Sequence, residues 1–543
     1  MRNKKFYLII LGAFLIFATA FLEKINQFSH EQRDDIKKTT YIPLPKDTSE
    51  DNPLIGINND FTPNDHYETQ LPIIIINTNE IIPRYISTID GAKPIDDFDT
   101  TDINNLWVSG TIRLISNNNG AMNHLSDESI ITSDILIKRR GHSSMYYDKP
   151  QYKIKTISAA GEENPIDFLS MGDGSNWVLN GSMADKSMLR NYVAYRIASE
   201  IQAETPDCRF CEVFLNDSGT LKYQGVYLLT ESIARGKNRI DIDEAKKKNV
   251  YTSYIVRRDR YNLYDVMLDT WGRKNGMCPD DQWIGIKYPS KKKLSNSTIE
   301  YISRDFSNIE KVIYSDDKNV FNSYNRYINS DSFVDYFIIN EFFGNYDSGE
   351  HSTYMWKQTG GKLNIGPVWD FDQAMNNVFS EEQNPYTLAM TEKPIFKQLT
   401  SDRAFIDKLI ARYAYLRNNT LSEEHVFSII DEAQAHLKNA QQREWFRWAA
   451  DYMDNSRQNP HNYYLDNYEL DGITLDRFNT DYNQEIYTIK TYLSIHGRNI
   501  ATELKKLHDP AKMDSKSSDI TALILIIVLL MFITPSFLIN KRK

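Results

Sequence analysis

The chain has 543 residues, 41% hydrophobic and 25% charged, with 33 Tyr, 25 Phe and 8 Trp, which gives it ample material for a buried core and argues against general disorder. A formal charge of −10 with no long basic stripe argues against a nucleic-acid partner, because phosphate backbones need a cationic surface. Three cysteines, Cys208 and Cys211 in a single CxxC and Cys278 alone, are too few for a disulfide framework or a four-ligand zinc site, and read as packing or one optional bridge.

In chain order, Phe6 to Leu22 is an uncharged apolar run preceded by Arg2, Lys4 and Lys5. Residues 1–24 therefore read as a signal anchor or, given Ala18-Thr19-Ala20, a cleaved signal peptide. Residues 25–65 are polar, carry Pro43, Pro45, Pro53 and Pro63, and read as an extracytoplasmic tether. Strand-like segments follow at Leu71-Pro-Ile-Ile-Ile-Ile, Ser133 to Arg140, Gln151 to Lys155, Asn176 to Asn180 and Cys211 to Asn216. Ser187 to Ile201 has helical spacing, with Asp185 as N-cap. The second half turns helical: Ser297-Thr-Ile-Glu300 and Thr420-Leu-Ser-Glu423 read as capping boxes, and Asp331 to Phe343 as a further helix. After a linker at 508–519, Ile520 to Asn540 is long and apolar enough to span a bilayer, with Lys541, Arg542 and Lys543 behind it. Positive flanks at both ends place the chain at the cell membrane, through one or two spanning helices, with residues 66–507 outside the cytoplasm. The fold class expected is α+β, a sheet-rich part followed by a helical part with a cleft between them.

No HExxH, GxSxG, Walker or dinucleotide-binding pattern occurs, and the ten histidines form no metal-ligand pair. Three segments combine polar groups with apolar surroundings. Ile135 to Ser144 and Lys149 to Lys155 form strand, small-residue turn and strand, with Lys153 and Lys155 on the face opposite Tyr152 and Ile154. That pattern serves a phosphate cradle or a plain hairpin with solvated lysines. Asn340 to Asp347 puts a carboxylate behind an aromatic cluster, where burial can tune it, or ends a helix in an ordinary turn. Ile365 to Asp372 carries Asp370 and Asp372 around Phe371; an extended backbone would put both on one face, suited to Mg²⁺, and a solvated turn would not.

The succession RRGHSS, KPQYKIK, NWVLNGSMADKSMLRN, YQGVYLLTESI, NEFFGNYDSGEHSTYMW and GPVWDFDQAMNN, from about Leu71 to His496, resembles the CotH kinase family of spore-coat and related exported proteins. The resemblance implies a highly diverged protein-kinase-like two-lobe fold that binds ATP with Mg²⁺ or Mn²⁺ and phosphorylates Ser or Thr hydroxyls of exported or surface proteins. By the same resemblance Asp347 is the catalytic aspartate and Asp370 the metal-binding one, with Asp372 and Ser352 as further oxygen donors. Lys155, or else Lys153, pairs with the phosphates, Arg140, Gly141, Ser143 and Ser144 form the phosphate-side turn, and Glu231 and Arg239 help line the nucleotide cleft. Arg190 and Asn191 match another family motif and are expected to serve folding. Ser352 stands five residues past Asp347, where a kinase catalytic loop usually has Asn, which puts a second metal position in question. The resemblance together with Ser352 also allows a catalytically silent CotH-like scaffold of the cell envelope, and the many Tyr and Trp permit a carbohydrate-acting enzyme with paired carboxylates.

Overall fold

A computed structural model describes residues 43–508, apart from 89–90, 95–105, 118–119, 182, 247–248, 378–383, 455–467, 471 and 476–478. Seven strands of the first half are β1 (Ile73–Thr78), β2 (Val108–Ile115), β3 (Ile131–Arg140), β4 (Gln151–Ile157), β5 (Asn176–Asn180), β6 (Cys208–Asn216) and β7 (Lys222–Glu231), with helix α1 (Arg190–Ala198) between β5 and β6. They close into a barrel in the order β5-β7-β6-β1-β2-β3-β4, every pair antiparallel except β6 with β1. Alternation fixes what faces inward: Ile74, Ile76, Ile112, Ile137, Ile154, Trp177 and Leu229 fill the interior. On the outer face Val178, Phe210, Val226 and Leu228 pack against Leu189, just before α1, and Tyr192, Val193 and Ile197 of α1.

The chain then forms β8 (Tyr254–Asp259), β9 (Val266–Leu268), β10 (Trp283–Tyr288), α2 (Asn296–Ile313), α3 (Ser330–Phe343), β11 (Thr353–Lys357), β12 (Leu363–Ile365), α4 (Arg403–Arg417), α5 (Glu423–Arg447) and α6 (Tyr482–Leu507). The strands make a second sheet, β9-β10-β8-β11-β12. Helix α3 is buried nearly all round, its aromatic and aliphatic residues falling on every side and Asp335, Asn340 and Glu341 buried among them.

The barrel and the helices are bolted by two neighbouring residues of α5. Arg443 pairs with Glu212 of β6 at 2.7 Å, and Glu444 pairs with Lys149 at 2.6 Å while accepting the Val226 N–H at 2.7 Å. All four charged groups are buried, so each pair must be complete to be tolerated.

Several expectations need correction. The division into a sheet-rich and a helical part is present, but the first part is a closed barrel, and a kinase-like pair of lobes is not what these strands form. Pairing of β4 with β5 removes both sheet edges, a closure that strand periodicity alone does not encode. Among the described residues no helix is long and apolar enough to cross a membrane, and the runs 6–22 and 520–540 lie outside them. The described part of the expected tether, from Pro43 on, lies against α5: Asp47 N–H donates to Ala435 O at 3.1 Å, and His436 meets Pro45 O at 2.8 Å. Both caps fall elsewhere than expected, since Ser295 accepts from Thr298 N–H and Ser422 from His425 N–H. The three cysteines are free thiols.

Candidate active site

Helix α3 stops at Gly344, whose φ of +61° is left-handed and where a Cβ would lie 2.1 Å from the Tyr492 hydroxyl. The turn that follows delivers Asp347. Asn345 fastens this turn to the next acidic loop, its amide donating to Asn340 Oδ1 at 3.1 Å and to Trp369 O at 3.2 Å. In that loop Asp370 has φ +69°, and Met375 and Asn376 are also left-handed. Ser352, itself at φ +48°, donates its hydroxyl to Asp370 Oδ2 at 2.9 Å. Four non-glycine residues in this backbone region, within two short loops, are strain that persists only where neighbours over-determine it.

The neighbours that do so come from α1. Asp370 N–H donates to Tyr195 Oη at 3.2 Å, and Phe371 N–H to Asn191 Oδ1 at 2.8 Å. Arg190 Nε donates to Ala374 O at 2.9 Å. Arg190 is itself buried between Asp185 at 2.7 Å and Glu485 at 2.6 Å. Asp185 also accepts the Arg190 N–H at 2.9 Å, so one carboxylate satisfies the first amide of α1 and aims its guanidinium, although the N-cap position itself falls to Leu189 and not to Asp185 as expected. The role left open for Arg190 and Asn191 is thereby specific: they hold the Asp370 loop.

Burial, together with the charges of Asp370 and Asp259, pushes Asp347 up to about 6, against the opposing pull of Arg260 and Lys393. The two acidic loops therefore bring Asp347 and Asp370 within electrostatic reach of each other. Arg257 reaches Asp259 at 3.1 Å and Asp265 at 3.6 Å, and Lys287 holds Asp265 at 3.0 Å. A chain of alternating charge thus runs along the second sheet from Asp347 to the barrel's outer face.

On that face the lysines gather. Lys138 of β3 sits directly across from Lys153 of β4, an opposition of like charges that a plain sheet avoids. Burial, with Lys287, Lys138 and Lys155 nearby and Asp265 in opposition, brings Lys153 down to about 7; burial and Lys287 bring Lys138 down to about 8. Lys138 lies 5.1 Å from the ring centres of both Trp107 and Tyr264, and Lys155 lies 5.8 Å from Trp107. Lys138, Lys153 and Lys287 have only Asp265 in opposition, with Lys155 at the edge of the group, and basic groups so under-compensated are suited to taking up a polyanion.

The expected site residues distribute as follows. Ser352 meets Asp370 directly, and Asp347 lies near enough to Asp370 to feel its charge. Lys153 is the enclosed lysine, whereas Lys155 is about a third exposed and leans toward Glu163 at 3.8 Å. Arg140 leaves β3 to lie over Trp369, 5.6 Å from its ring centre, and donates to Gln151 at 2.6 Å. Gly141, at φ +120°, has no room for a side chain because a Cβ would meet Ser144 Oγ at 1.7 Å; Ser143 opens the short 3₁₀ turn Ser143–Tyr146. Just past this turn, the negative charge of Asp372 adds to burial in raising the Tyr147 phenol. Since Asp370 is left-handed, the backbone is not extended there and Asp372 does not share its face by strand geometry. Glu231 is engaged elsewhere, by Arg239 at 3.1 Å and the Asp207 N–H at 3.0 Å, and burial lifts it to about 7. Sequence reasoning passed over Tyr195, Asn345, Lys138, Lys287, Asp265 and Arg260. The one available signal was the charged run Arg257-Arg-Asp-Arg260 on a strand.

Among the described residues no three His, Cys, Asp or Glu side chains converge into a metal cage. The donor set nevertheless fits Mg²⁺, which takes one or two carboxylates and completes its shell with phosphate and water. Asp370, oriented by Ser352 and backed by Asp347, offers such a pair. No curated protein matches the chain. The family model described as CotH kinase protein matches residues 137–494, a stretch that contains the lysine strands, the clamping helix and both acidic loops. The chain belongs to the CotH kinase family.

Proposed function

We propose that the chain transfers the terminal phosphoryl group of ATP to hydroxyl groups of proteins, with Asp347 receiving the hydroxyl proton. The observation that supports this reading is the tie between the two acidic loops, Asn345 donating to Trp369 O and Ser352 to Asp370, beside a charge network whose other end is the lysine cluster. A carboxyl group near pH 6 is ionised at neutral pH yet basic enough to accept a proton from an acceptor hydroxyl as it attacks. Lys153, with Lys138 and Lys287 around it, binds and orients the phosphates; Arg140 and the turn at Gly141 to Ser144 close over them from the barrel side. Asp370, with Asp372 or Ser352 as supplementary oxygen donors, would hold Mg²⁺ or Mn²⁺, which when bound neutralises phosphate charge. Export of the reacting domain rests on the cation-flanked apolar run Phe6 to Leu22.

The test is transfer of radiolabelled phosphate from ATP to the protein itself and to a casein acceptor. Asp347→Ala and Asp370→Ala should each abolish labelling while the melting temperature stays within a few degrees of wild type. Labelling that persists in either variant refutes the assignment. One observation favours a silent scaffold, namely Ser352 in place of an amide. That reading predicts Mg²⁺-dependent stabilisation by ATP without any transfer.

A further inference from the structure

A cavity of about 670 Å³ lies between α1 and β6, and neither acidic loop nor any of the four clustered lysines lines it. Its volume is that of a site for a small organic molecule. One wall is aromatic, with Tyr192 and Phe210 4.7 Å apart between ring centres and Tyr195 beside them. Among the charged residues of its lining cations outnumber carboxylates, Lys46, Arg196 and Arg209 against Asp207. Arg209 pairs with Asp207 and Arg196 with Glu200, so both guanidiniums are held in place at the cavity wall, and Lys46 adds an exposed cation at its rim. At the rim Leu169 and Ser170 are consecutive left-handed residues, at φ +55° and +60°, a costly backbone that marks ligand clamps and switch regions.

Tyr195 is the feature that gives the cavity a consequence. It lines the cavity, stacks on Trp369 at 5.8 Å, and accepts the backbone N–H of Asp370 through its phenol oxygen. An occupant that shifts this ring shifts the acceptor that holds Asp370 in its left-handed conformation. We propose that the cavity between α1 and β6 is a regulatory site for an aromatic anion, coupled through Tyr195 to the carboxylate that binds the metal. The coupling rests on the phosphotransfer reading above; the existence of the binding site does not.

The probe is 1-anilinonaphthalene-8-sulfonate, an aromatic sulfonate, titrated by fluorescence into the folded full chain. Ser199→Trp and Ala121→Trp fill the cavity from two different walls, so a folding defect in one leaves the other informative. The expected result is one saturable site in wild type, weakened about ten-fold or more in both filled variants. Probe and Mg·ATP should then change each other's affinity by one common factor, about five-fold or more, as linkage requires. Tyr195→Phe should keep probe binding and lose that factor. Equal binding to wild type and the filled variants overturns the site. Binding that leaves Mg·ATP affinity unchanged overturns the coupling. A wild-type chain that binds no Mg·ATP refutes the phosphotransfer reading and the coupling together, while the filled variants still decide the cavity.

Discussion

Replacing Asp347 by Asn should make the protein more stable and inactive at once, and the size of the gain follows from the site. The carboxyl of Asp347 titrates near 6 in the folded chain, because burial and the charges of Asp370 and Asp259 outweigh Arg260 and Lys393. Its ordinary value is 3.8. Between these limits the folded state binds more protons than the unfolded one, so the stability of the wild type falls as pH rises from about 4 to about 6. Two pH units at 1.36 kcal/mol each set an upper bound of about 3 kcal/mol, and partial exposure of the side chain brings the expected figure to roughly 1.5–3 kcal/mol. Asparagine carries no charge to desolvate. Urea unfolding of wild type and Asp347→Asn at pH 4 and at pH 7.5 should therefore show little difference at the lower pH and a gap of that size at the higher one. Addition of Mg²⁺ with nucleotide should narrow the gap, since opposite charge then stabilises the ionised wild type. A gap independent of pH, or a wild type more stable than the variant at pH 7.5, would refute the claim that the two acidic loops crowd negative charge.

Three other outcomes follow from the same geometry. Arg190→Met should cost about 3–5 kcal/mol in urea unfolding, because the buried carboxylates of Asp185 and Glu485 lose the guanidinium that pairs with both, and Arg190→Lys should recover part of it. Nucleotide binding at pH 8 should draw protons from solution, since Lys153 is largely neutral above pH 7 and must be charged to hold phosphate; calorimetry in two buffers of different ionisation enthalpy measures the uptake, and Lys153→Met should reduce it to the share of Lys138. Ser352→Asn should be tolerated, because Asn accepts the left-handed conformation that Ser352 adopts, and it should lower the Mg²⁺ concentration needed for half-maximal labelling. An unchanged Mg²⁺ requirement would show that Ser352 is no metal donor.

Local text determined a good deal. The alternation of Gln151 to Lys155 put Tyr152 and Ile154 inside and Lys153 and Lys155 outside, and the run Asp331 to Phe343 was a helix because an apolar stretch of that length admits little else. The motif order around Asp347 and Asp370 carried the family, and residues 137–494 match it. Tertiary structure decided the rest, and for one physical reason: the deciding interactions join residues that sequence spacing does not relate. Strand periodicity is silent about which edges meet, so the pairing of β4 with β5 that closes the barrel was hidden. Lys287 and Asp265 join Lys153 only because a second sheet folds against the barrel. The left-handed turn at Asp370 depends on three side chains of α1, about 180 residues earlier, and no local preference of Trp369-Asp-Phe371 would have announced it.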